Sequence, residues 1–238
     1  RDGVYNAAMT SLPFYQPYDE EGSLYAPGDA GYAGFPNFNP VGQAIEPRFD
    51  TYASKLLGGI TAKYEIIPNL YFTTKFSADY ITTVEDQFEP TTTAIGGFLQ
   101  SVGQQGYGIY STTEYTALQN SNILSYNTSI GDQHEIGGLV AAEFISRTSR
   151  SGSTVGILFP SDDFTYLTSS GLILDGSSFL VNSGLVSFFG EVNYKFKSKY
   201  LANATVRYDG SSRFGVDRKY GLFPAFSLGW RLSEEQFM

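Results

Sequence analysis

Residues 185–196 read LVSFFGEVNYKF, residues 199–209 read KYLANATVRYD, and residues 222–232 read LFPAFSLGWRL. In the first run every second side chain is apolar, with a single glycine among them: Val186, Phe188, Gly190, Val192, Tyr194 and Phe196. The side chains between them include Ser187, Glu191 and Lys195, and the second run alternates in the same way. A period of two over this length predicts strands. The stretch therefore predicts a long antiparallel hairpin that turns at Lys197 and Ser198 and has one apolar and one polar face.

Four more segments of the 238-residue chain show the same alternation, at 52–65, 70–80, 123–130 and 135–145, and a short strand is expected at 107–112. Short turns are predicted at 66–69 and 131–134, where Pro, Asn and Gly occur, and at 197–198. Wide excursions are predicted at 1–50, 82–122, 147–184 and 209–222, the first as one long irregular loop. We therefore expect about seven long strands.

Composition excludes several classes of protein. Only 16% of residues are charged, against about 25% in a typical soluble domain, and 16% are aromatic. The net charge is −9 without a Lys/Arg cluster, so no nucleic-acid partner is expected. The absence of cysteine excludes thiolate metal sites, disulfides and cysteine catalysis. No apolar run approaches the roughly 18 residues of a spanning helix.

Strand length, loop asymmetry and charge placement together favour a membrane barrel. Several runs reach about 11 residues, which is the length that crosses a bilayer. Short turns alternate with wide loops, as the periplasmic and extracellular ends of outer-membrane barrels do. The strand charges all lie on the polar parity: Lys55, Lys63, Glu65, Lys75, Asp79, Glu135, Glu143, Glu191, Lys195, Arg207, Asp209 and Arg231. Charges on the lipid side would cost about 2–4 kcal/mol each at the midplane.

The predicted fold class is therefore all-β, an antiparallel transmembrane β-barrel segment with short periplasmic turns and long extracellular loops. Seven strands cannot close a wide pore, and an open edge is excluded from lipid. We therefore expect residues 1–238 to be one part of a barrel domain, a view that the start at Arg1 without a visible signal peptide fits. The alternatives are a soluble glycan-binding β-sandwich, an outer-membrane adhesin and a passive porin.

The last forty residues resemble a known family. KYLANATVRYDGSSRFG at 199–215 and KYGLFPAFSLGWRLSEEQFM at 219–238 are similar to the signature of the SusC/RagA family, the TonB-dependent outer-membrane transporters of Bacteroidetes. Weaker likeness occurs at Asn39-Pro40, Asn69-Leu70 and Phe159-Pro160. The resemblance implies a C-terminal β-barrel segment in the outer membrane, in contact with its lipid. It implies uptake of oligosaccharide or peptide ligands with a SusD-like surface lipoprotein. It also implies coupling to TonB through a plug domain that we expect outside this chain.

The residues of the resemblance are predicted to be structural rather than catalytic. The family motif residues are Arg207, Asp209, Gly210, Ser211, Ser212, Arg213, Phe214, Gly215, Phe223, Pro224 and Trp230. The glycine and serines are turn residues by composition, so the motif is expected to shape a loop. Its three charged side chains fit either a loop-fixing ion pair or a charge network beside a substrate chamber.

Aromatic side chains in the first loop are candidate contacts for substrate or partner: Tyr15, Tyr18, Tyr25, Tyr32, Phe35 and Phe38. They could stack on sugar rings or pack a peptide, and they could equally pack on one another or on a partner subunit. The sequence leaves these alternatives open.

Catalytic and metal sites are not predicted. His134 is the only histidine and has no second His or Cys to join it at a metal. The acidic pairs Glu85-Asp86 and Asp162-Asp163 lack the spacing of an EF-hand, so solvated loops are expected rather than calcium sites. No nucleophile elbow, phosphate loop or dinucleotide fingerprint occurs, so neither enzymatic activity nor a cofactor is expected.

Overall fold

A computed structural model describes residues 2–25, 39–97, 105–235 and 237 of the chain. It contains seven strands: β1 (Arg48–Ile67), β2 (Leu70–Glu89), β3 (Tyr107–Ile130), β4 (His134–Ile157), β5 (Leu172–Phe196), β6 (Tyr200–Ser211) and β7 (Tyr220–Trp230). They form one sheet in the order β1-β2-β3-β4-β5-β6-β7. The sheet is not closed among these strands, because β1 and β7 are its edges. The all-β prediction with seven strands is confirmed, and the single sheet differs from the two stacked sheets of a sandwich.

Two short helices precede the sheet, α1 at Asp2–Thr10 and α2 at Pro40–Ile45. Their presence corrects the prediction that residues 1–50 form one irregular loop. Two residues explain the start of α2. Pro40 occupies the first turn, and the Asn39 side chain accepts a 3.1 Å hydrogen bond from the Val41 backbone amide. In the described part of the chain, no helix has the length and apolar content needed to span a bilayer.

The strands extend well past the predicted segments. β3 and β4 each have 24 residues and β5 has 25, so much of the sequence predicted as wide excursions is strand. The prediction failed because these extensions lack a period of two. Residues 146–154 read SRTSRSGST, polar on both faces, and residues 172–174 read LIL, apolar on both. The connections that remain are residues 90–106, 158–171 and 212–219.

The three predicted short turns are confirmed. Lys197 and Ser198 have φ of 49° and 54°, and the Lys199 amide donates a 3.0 Å hydrogen bond to the Phe196 carbonyl. Positive φ at both central residues is what a type I′ hairpin requires. Asn69, after Pro68, has φ of 69° and Gly131 has φ of 60°, so each turn uses a residue type that tolerates this conformation.

The chain divides into two compact units. The first, called the loop unit, comprises residues 1–54, 82–114 and 150–179, and the second, called the turn unit, comprises residues 55–81, 115–149 and 180–238. The loop unit has a small core in which Phe88 and Phe159 are 2% and 1% exposed and pack edge to face with ring centroids 5.0 Å apart. The turn unit contains all three short turns.

The two faces of the turn unit follow residue parity. The register pairs Phe188 with Tyr208, Val192 with Ala204 and Ala204 with Phe226, so even-numbered residues share one face of β5, β6 and β7. On that face Phe226 is 82% exposed and Val206 is 44% exposed. We call the even-numbered side of the turn unit the apolar face and the odd-numbered side the polar face.

Candidate functional site

Arg207 is the centre of a polar network on the polar face of the turn unit. Its Nε donates to both carboxylate oxygens of Asp209, at 2.7 and 2.9 Å. Its Nη2 donates to the hydroxyl of Ser187 at 3.0 Å and lies 3.6 Å from the carboxylate of Glu143. Ser187 is fully buried, and the guanidinium carbon lies 5.8 Å from the ring centroid of Phe189. One side chain on β6 therefore connects three strands.

Glu143 carries the same network across to β3. Its Oε2 accepts a 2.8 Å hydrogen bond from the Gln119 amide and a 3.0 Å hydrogen bond from the Ser121 hydroxyl. Charge and amide groups on β3, β4, β5 and β6 thus meet on one face. Glu143 was predicted on this face. Gln119 and Ser121 were missed because they lie in a segment that was predicted to be a loop.

Two ion pairs across neighbouring strands place four more of the predicted charges on this face. Lys55 lies 3.7 Å from Asp79, and Lys195 lies 2.9 Å from Glu135. Side chains partly exposed in this way contribute only about 0–1 kcal/mol per pair. These pairs nevertheless show which side of the sheet the charges occupy, because both partners of a pair must project from the same side.

A groove of about 960 Å³ lies on the turn unit near its short turns. Its polar wall is made largely of amides and hydroxyls: Asn69, Asn127, Thr128, Ser129, Asn193, Asn203 and Ser227. Asn203 donates to Asn193 at 2.6 Å and to Glu191 at 3.1 Å. Gly137 keeps the groove open, since a Cβ there would lie 2.5 Å from Oδ1 of Asn127. Such a surface offers neutral donors and acceptors to water or a polar solute.

Gly210 of the family motif makes room for an aromatic ring. A Cβ at Gly210 would lie 2.2 Å from the Tyr220 ring, its register partner on β7. Because the space is free, Tyr220 stacks on Tyr208 with ring centroids 5.1 Å apart and planes 11° from parallel. The conformational freedom of glycine is not the issue here, since the requirement is the missing side chain.

Ser211 and Ser212 organise the start of the β6–β7 loop. The Ser211 amide donates to the Lys219 carbonyl at 2.9 Å, and the Ser211 hydroxyl accepts from the Arg213 amide at 3.3 Å. Ser212 exchanges two hydrogen bonds with Gly184, donating from its amide at 2.9 Å and accepting at its hydroxyl at 2.8 Å. These bonds are what a loop-shaping motif requires, and that role remains a prediction.

Three of the other motif residues, Arg213, Phe214 and Gly215, lie outside the Arg207 network. Arg213 was grouped with Arg207 and Asp209, yet within the described residues no carboxylate lies within 4 Å of its guanidinium group, so the structure does not bring it to them. Phe214 and Gly215 are exposed in the loop. On β7, Phe223 is opposite Arg207 and Pro224 is opposite Val206.

Trp230 closes the turn end of the apolar face. Its ring stacks on Tyr200 with centroids 6.4 Å apart, and its Nε1 donates to Glu235 at 3.1 Å. The Glu235 carboxylate also accepts from Lys199 Nζ at 3.1 Å and from the Tyr200 hydroxyl at 3.0 Å. The hydrogen bond from Lys199, followed by that from Trp230, lowers the pKa of Glu235 below its usual value.

His134 joins the aromatic side chains at the turn end of the apolar face. Its Nδ1 lies 2.7 Å from the hydroxyl of Tyr194, and its ring centroid lies 5.0 Å from that of Phe196. Across residues 2–25, 39–97, 105–235 and 237, no three His, Cys, Asp or Glu side chains are grouped closely enough to hold a metal ion.

The loop unit is held by side-chain bonds to residues 90–97. Asp162 accepts from the Thr91 amide at 2.9 Å and from its hydroxyl at 2.5 Å. The Thr92 hydroxyl donates to Glu46, and the Ala94 amide donates to the side-chain carbonyl of Gln43 at 2.9 Å. Asp162 was expected in a solvated acidic pair, and it is a structural acceptor instead.

Arg48 connects separate segments of the loop unit, and sequence reasoning missed it. Its guanidinium donates to Asp86 at 2.8 Å and to the Thr165 hydroxyl at 2.8 Å, and it lies 4.6 Å from the Tyr166 ring centroid. Its partners are 38 and 117 positions away in sequence, so no local signal could have found them. Asp86 was also expected in a solvated loop, and it accepts a hydrogen bond from Arg48 instead.

The predicted aromatic contacts fall only partly within the described residues. Tyr18 is exposed and forms an isolated bridge with Leu24, whereas Tyr15 and Tyr25 are half-buried. The Phe14 and Tyr15 rings pack edge to face at 5.0 Å. Tyr32, Phe35 and Phe38 lie outside the described residues. A contact role for these side chains stays a prediction.

Comparison with known sequences finds receptors of one kind. The chain is 30% identical over 241 residues to TonB-dependent receptor P26 of Formosa agariphila, covering 98% of this chain and 23% of that protein. It is 38% identical over 77 residues to TonB-dependent receptor SusC of Bacteroides thetaiotaomicron, covering 32% of this chain and 8% of SusC. The chain thus spans less than a quarter of the length of these relatives. No family model matches it.

Solved structures share the fold. The RagAB peptide transporter superposes with a TM-score of 0.80 at 19% identity, covering 96% of this chain and 25% of that one. The RagAB peptide importer in its closed-closed state gives a TM-score of 0.74 at 21% identity, covering 92% of this chain and 24% of that one. The relatives in sequence, among them P26 at 30% identity over 98% of this chain, show the family, and the solved structures show the fold. The chain belongs to the TonB-dependent receptors, is similar to their members SusC and RagA, and forms part of an outer-membrane β-barrel.

Proposed function

We propose that the protein containing this chain is an active importer that takes up oligosaccharide or peptide nutrients across the outer membrane. Within it, residues 1–238 supply a part of the barrel wall and its loops. The observation that carries the proposal is the division of the turn unit into two faces. The polar face carries the Arg207–Glu143 network, and the apolar face carries Val206, Phe226 and Leu228.

The two faces fit two solvents. We assign the apolar face to lipid, because a charged side chain there would cost about 2–4 kcal/mol at the midplane. We assign the polar face to the water-filled interior, where cross-strand ion pairs and the asparagine-lined groove can be hydrated. A lumen with charges of both signs and many amides suits polar solutes such as sugars and peptides, without selecting between them.

The wall alone does not drive transport, so the proposal includes partners. A SusD-like surface lipoprotein would cover the lumen from outside, and TonB would act through a plug region that this chain does not supply. The likeness to RagAB, described as a peptide importer, supports this assembly. The chain carries no proposed catalytic group, so we assign it no enzymatic step.

Two sets of residues take proposed roles in this assembly. The motif from Arg207 to Gly215 would hold the β6–β7 hairpin in shape. The aromatic side chains Tyr15, Tyr18 and Tyr25, with Tyr32, Phe35 and Phe38, would contact ligand or lipoprotein. Hydrogen bonds from Asn39 Nδ2 to the Pro17 and Tyr25 carbonyls, at 2.7 and 3.3 Å, fix part of this aromatic segment in the loop unit.

Uptake in the native bacterium tests the proposal. Strains lacking the gene, lacking TonB or lacking the neighbouring lipoprotein gene would be supplied with labelled oligosaccharides and labelled peptides of graded length. We expect uptake of one of these classes to fall in all three strains. Reintroduction of the gene should restore it in the first strain only.

The passive porin and adhesin alternatives predict different results. Uptake that depends on the gene but persists without TonB would indicate a porin. Unchanged uptake of every compound, with loss of attachment to a surface, would indicate an adhesin. Either result would overturn the importer.

A further inference from the structure

The β6–β7 hairpin is much shorter than the others. β6 has 12 residues and β7 has 11, whereas β1 to β5 have 20 to 25. Eleven or twelve residues at about 3.3 Å each, tilted by about 40°, rise roughly 30 Å, against an apolar band of about 25 Å. The loop at 212–219 therefore begins where the apolar band ends.

This loop carries three cations in seven residues, Arg213, Arg218 and Lys219, with a single acid, Asp217. All four side chains are exposed. Within the described part of the chain, no carboxylate lies within 4 Å of any of the three cations. Elsewhere in the described residues, Arg48, Lys55, Lys195, Lys199 and Arg207 each have a carboxylate partner, whereas Lys63, Lys75, Arg147, Arg150, Lys197 and Arg231 have none within 4 Å. What distinguishes the loop is that three such cations occur within seven residues. A protein with a net charge of −9 thus presents three cations without a carboxylate partner in one short loop, a grouping that corrects the expectation of no Lys/Arg cluster.

Backbone hydrogen bonds hold the cluster together. Ser211 binds the carbonyl of Lys219 through its amide, at 2.9 Å, and the amide of Arg213 through its hydroxyl, at 3.3 Å. The Arg218 amide donates to the Gly215 carbonyl at 3.1 Å. The backbones on both sides of the loop, which carry these cations, are therefore brought to one point.

Aromatic side chains are close to the cations in the chain. Tyr208 and Tyr220 stack on the apolar face in the space that Gly210 leaves, and Tyr220 directly follows Lys219. Phe214, within the loop, is 62% exposed. Positive charge next to exposed aromatic rings at the edge of an apolar band is the arrangement expected for binding an amphiphile with an anionic head group.

We propose that the loop at 212–219 binds the phosphate groups of lipopolysaccharide in the outer leaflet of the outer membrane. Arg213, Arg218 and Lys219 pair with the phosphates, and Tyr208, Tyr220 and Phe214 contact the first carbons of the acyl chains. The outer leaflet is chosen because the loop is opposite the short turn at 197–198, and short turns face the periplasm. The inference rests on the membrane orientation given under the proposed function, but not on the transported solute.

Binding of purified lipid A to the complete detergent-solubilised protein tests the proposal. The variant R213Q/R218Q/K219Q removes the three charges. The matched control K63Q/K75Q/K197Q removes three charges from the polar face and the opposite turn. Native mass spectrometry would count bound lipid A at a series of concentrations. Because each cation adds to the attraction for anionic lipid, we expect binding to weaken at least tenfold in the loop variant and to stay unchanged in the control.

Three results would overturn the proposal. One is equal binding of lipid A by the loop variant, with heat-modifiable gel migration showing that it is folded. Another is equal affinity of the unaltered protein for dephosphorylated lipid A or phosphatidylglycerol, which would indicate general attraction to anionic or apolar lipid. A third is loss of the lipoprotein partner instead of lipid. Loss of uptake with lipid A binding intact, or the reverse, separates failure of this inference from failure of the importer.

Discussion

The turn unit and the loop unit are built from the same strands, yet different interactions order them. In the turn unit the two faces of β5, β6 and β7 differ, with Val206, Phe226 and Leu228 on one side and the Arg207 network on the other. In the loop unit, residues 90–97 are held by a few hydrogen bonds to distant side chains such as Asp162. A strand whose two faces meet different environments therefore shows regular alternation of polar and apolar residues in its sequence. A segment held by individual side-chain hydrogen bonds shows no such pattern.

Neighbouring residues on β6 give the strongest test of this contrast. Val206→Arg places a charge on the apolar face at mid-strand, and Thr205→Arg places the same charge on the polar face opposite Glu191. We expect the first variant to lose about 2–4 kcal/mol of folding free energy in lipid vesicles, and the second to change little. Urea titration with gel-shift detection measures both. Equal losses would mean that parity does not assign the lipid side.

In the loop unit the corresponding test is steric. A Cβ at Gly96 would lie 2.1 Å from the Pro90 carbonyl oxygen, whereas a Cβ at Gly58 in the turn unit meets nothing within 4 Å. We expect Gly96→Ala to destabilise the 90–97 segment by about 1–3 kcal/mol, since the backbone must shift. Hydrogen exchange of this segment reports the change. Gly58→Ala is the control, and equal protection in both variants would contradict the close packing described.

The network around Arg207 should matter moderately. Arg207→Met removes the bonds to Asp209, Ser187 and Glu143, and leaves the buried Ser187 hydroxyl without that donor. Because the Arg207 side chain is 41% exposed, we expect a loss of only about 1 kcal/mol. Arg213→Met, which breaks no ion pair among the described residues, is the control. Thermal unfolding of the two variants at the same midpoint would show that the network contributes nothing.

The smallest expected effect concerns pH at the turn end. The pKa of Glu235 is depressed in the folded protein, so its carboxylate stabilises the Lys199 and Trp230 contacts above its usual pKa. This stabilisation is lost as the pH falls through the depressed value. Trp230 is the single tryptophan, so its fluorescence should change over that acid range. Glu235→Gln should abolish the transition, and an unchanged transition in that variant would assign it to another group.

The sequence predicted the turn unit well and the loop unit poorly, for physical reasons. Alternation located most strand segments of the turn unit, the three short turns and the shared parity of Glu143 and Arg207, but it missed residues 115–122 of β3 and 180–184 of β5. It could not locate the strand extensions, because residues such as 146–154 are polar on both faces and resemble a loop. It could not join Arg48 to Asp86 or Thr165 either, since that bond depends on the sheet order.

The Lys197–Ser198 turn has a consequence for labelling the protein on living cells. Both residues have positive φ, and the Lys197 amide also donates a 2.7 Å hydrogen bond to the Gln133 carbonyl in the neighbouring turn. An epitope inserted here would break the Lys199–Phe196 hydrogen bond within the turn and the Lys197–Gln133 hydrogen bond to the neighbouring turn. An antibody added outside the cell would not reach it. A tag meant to report surface display belongs in a connection at the opposite end of the strands, outside the hydrogen-bonded loop at 212–219.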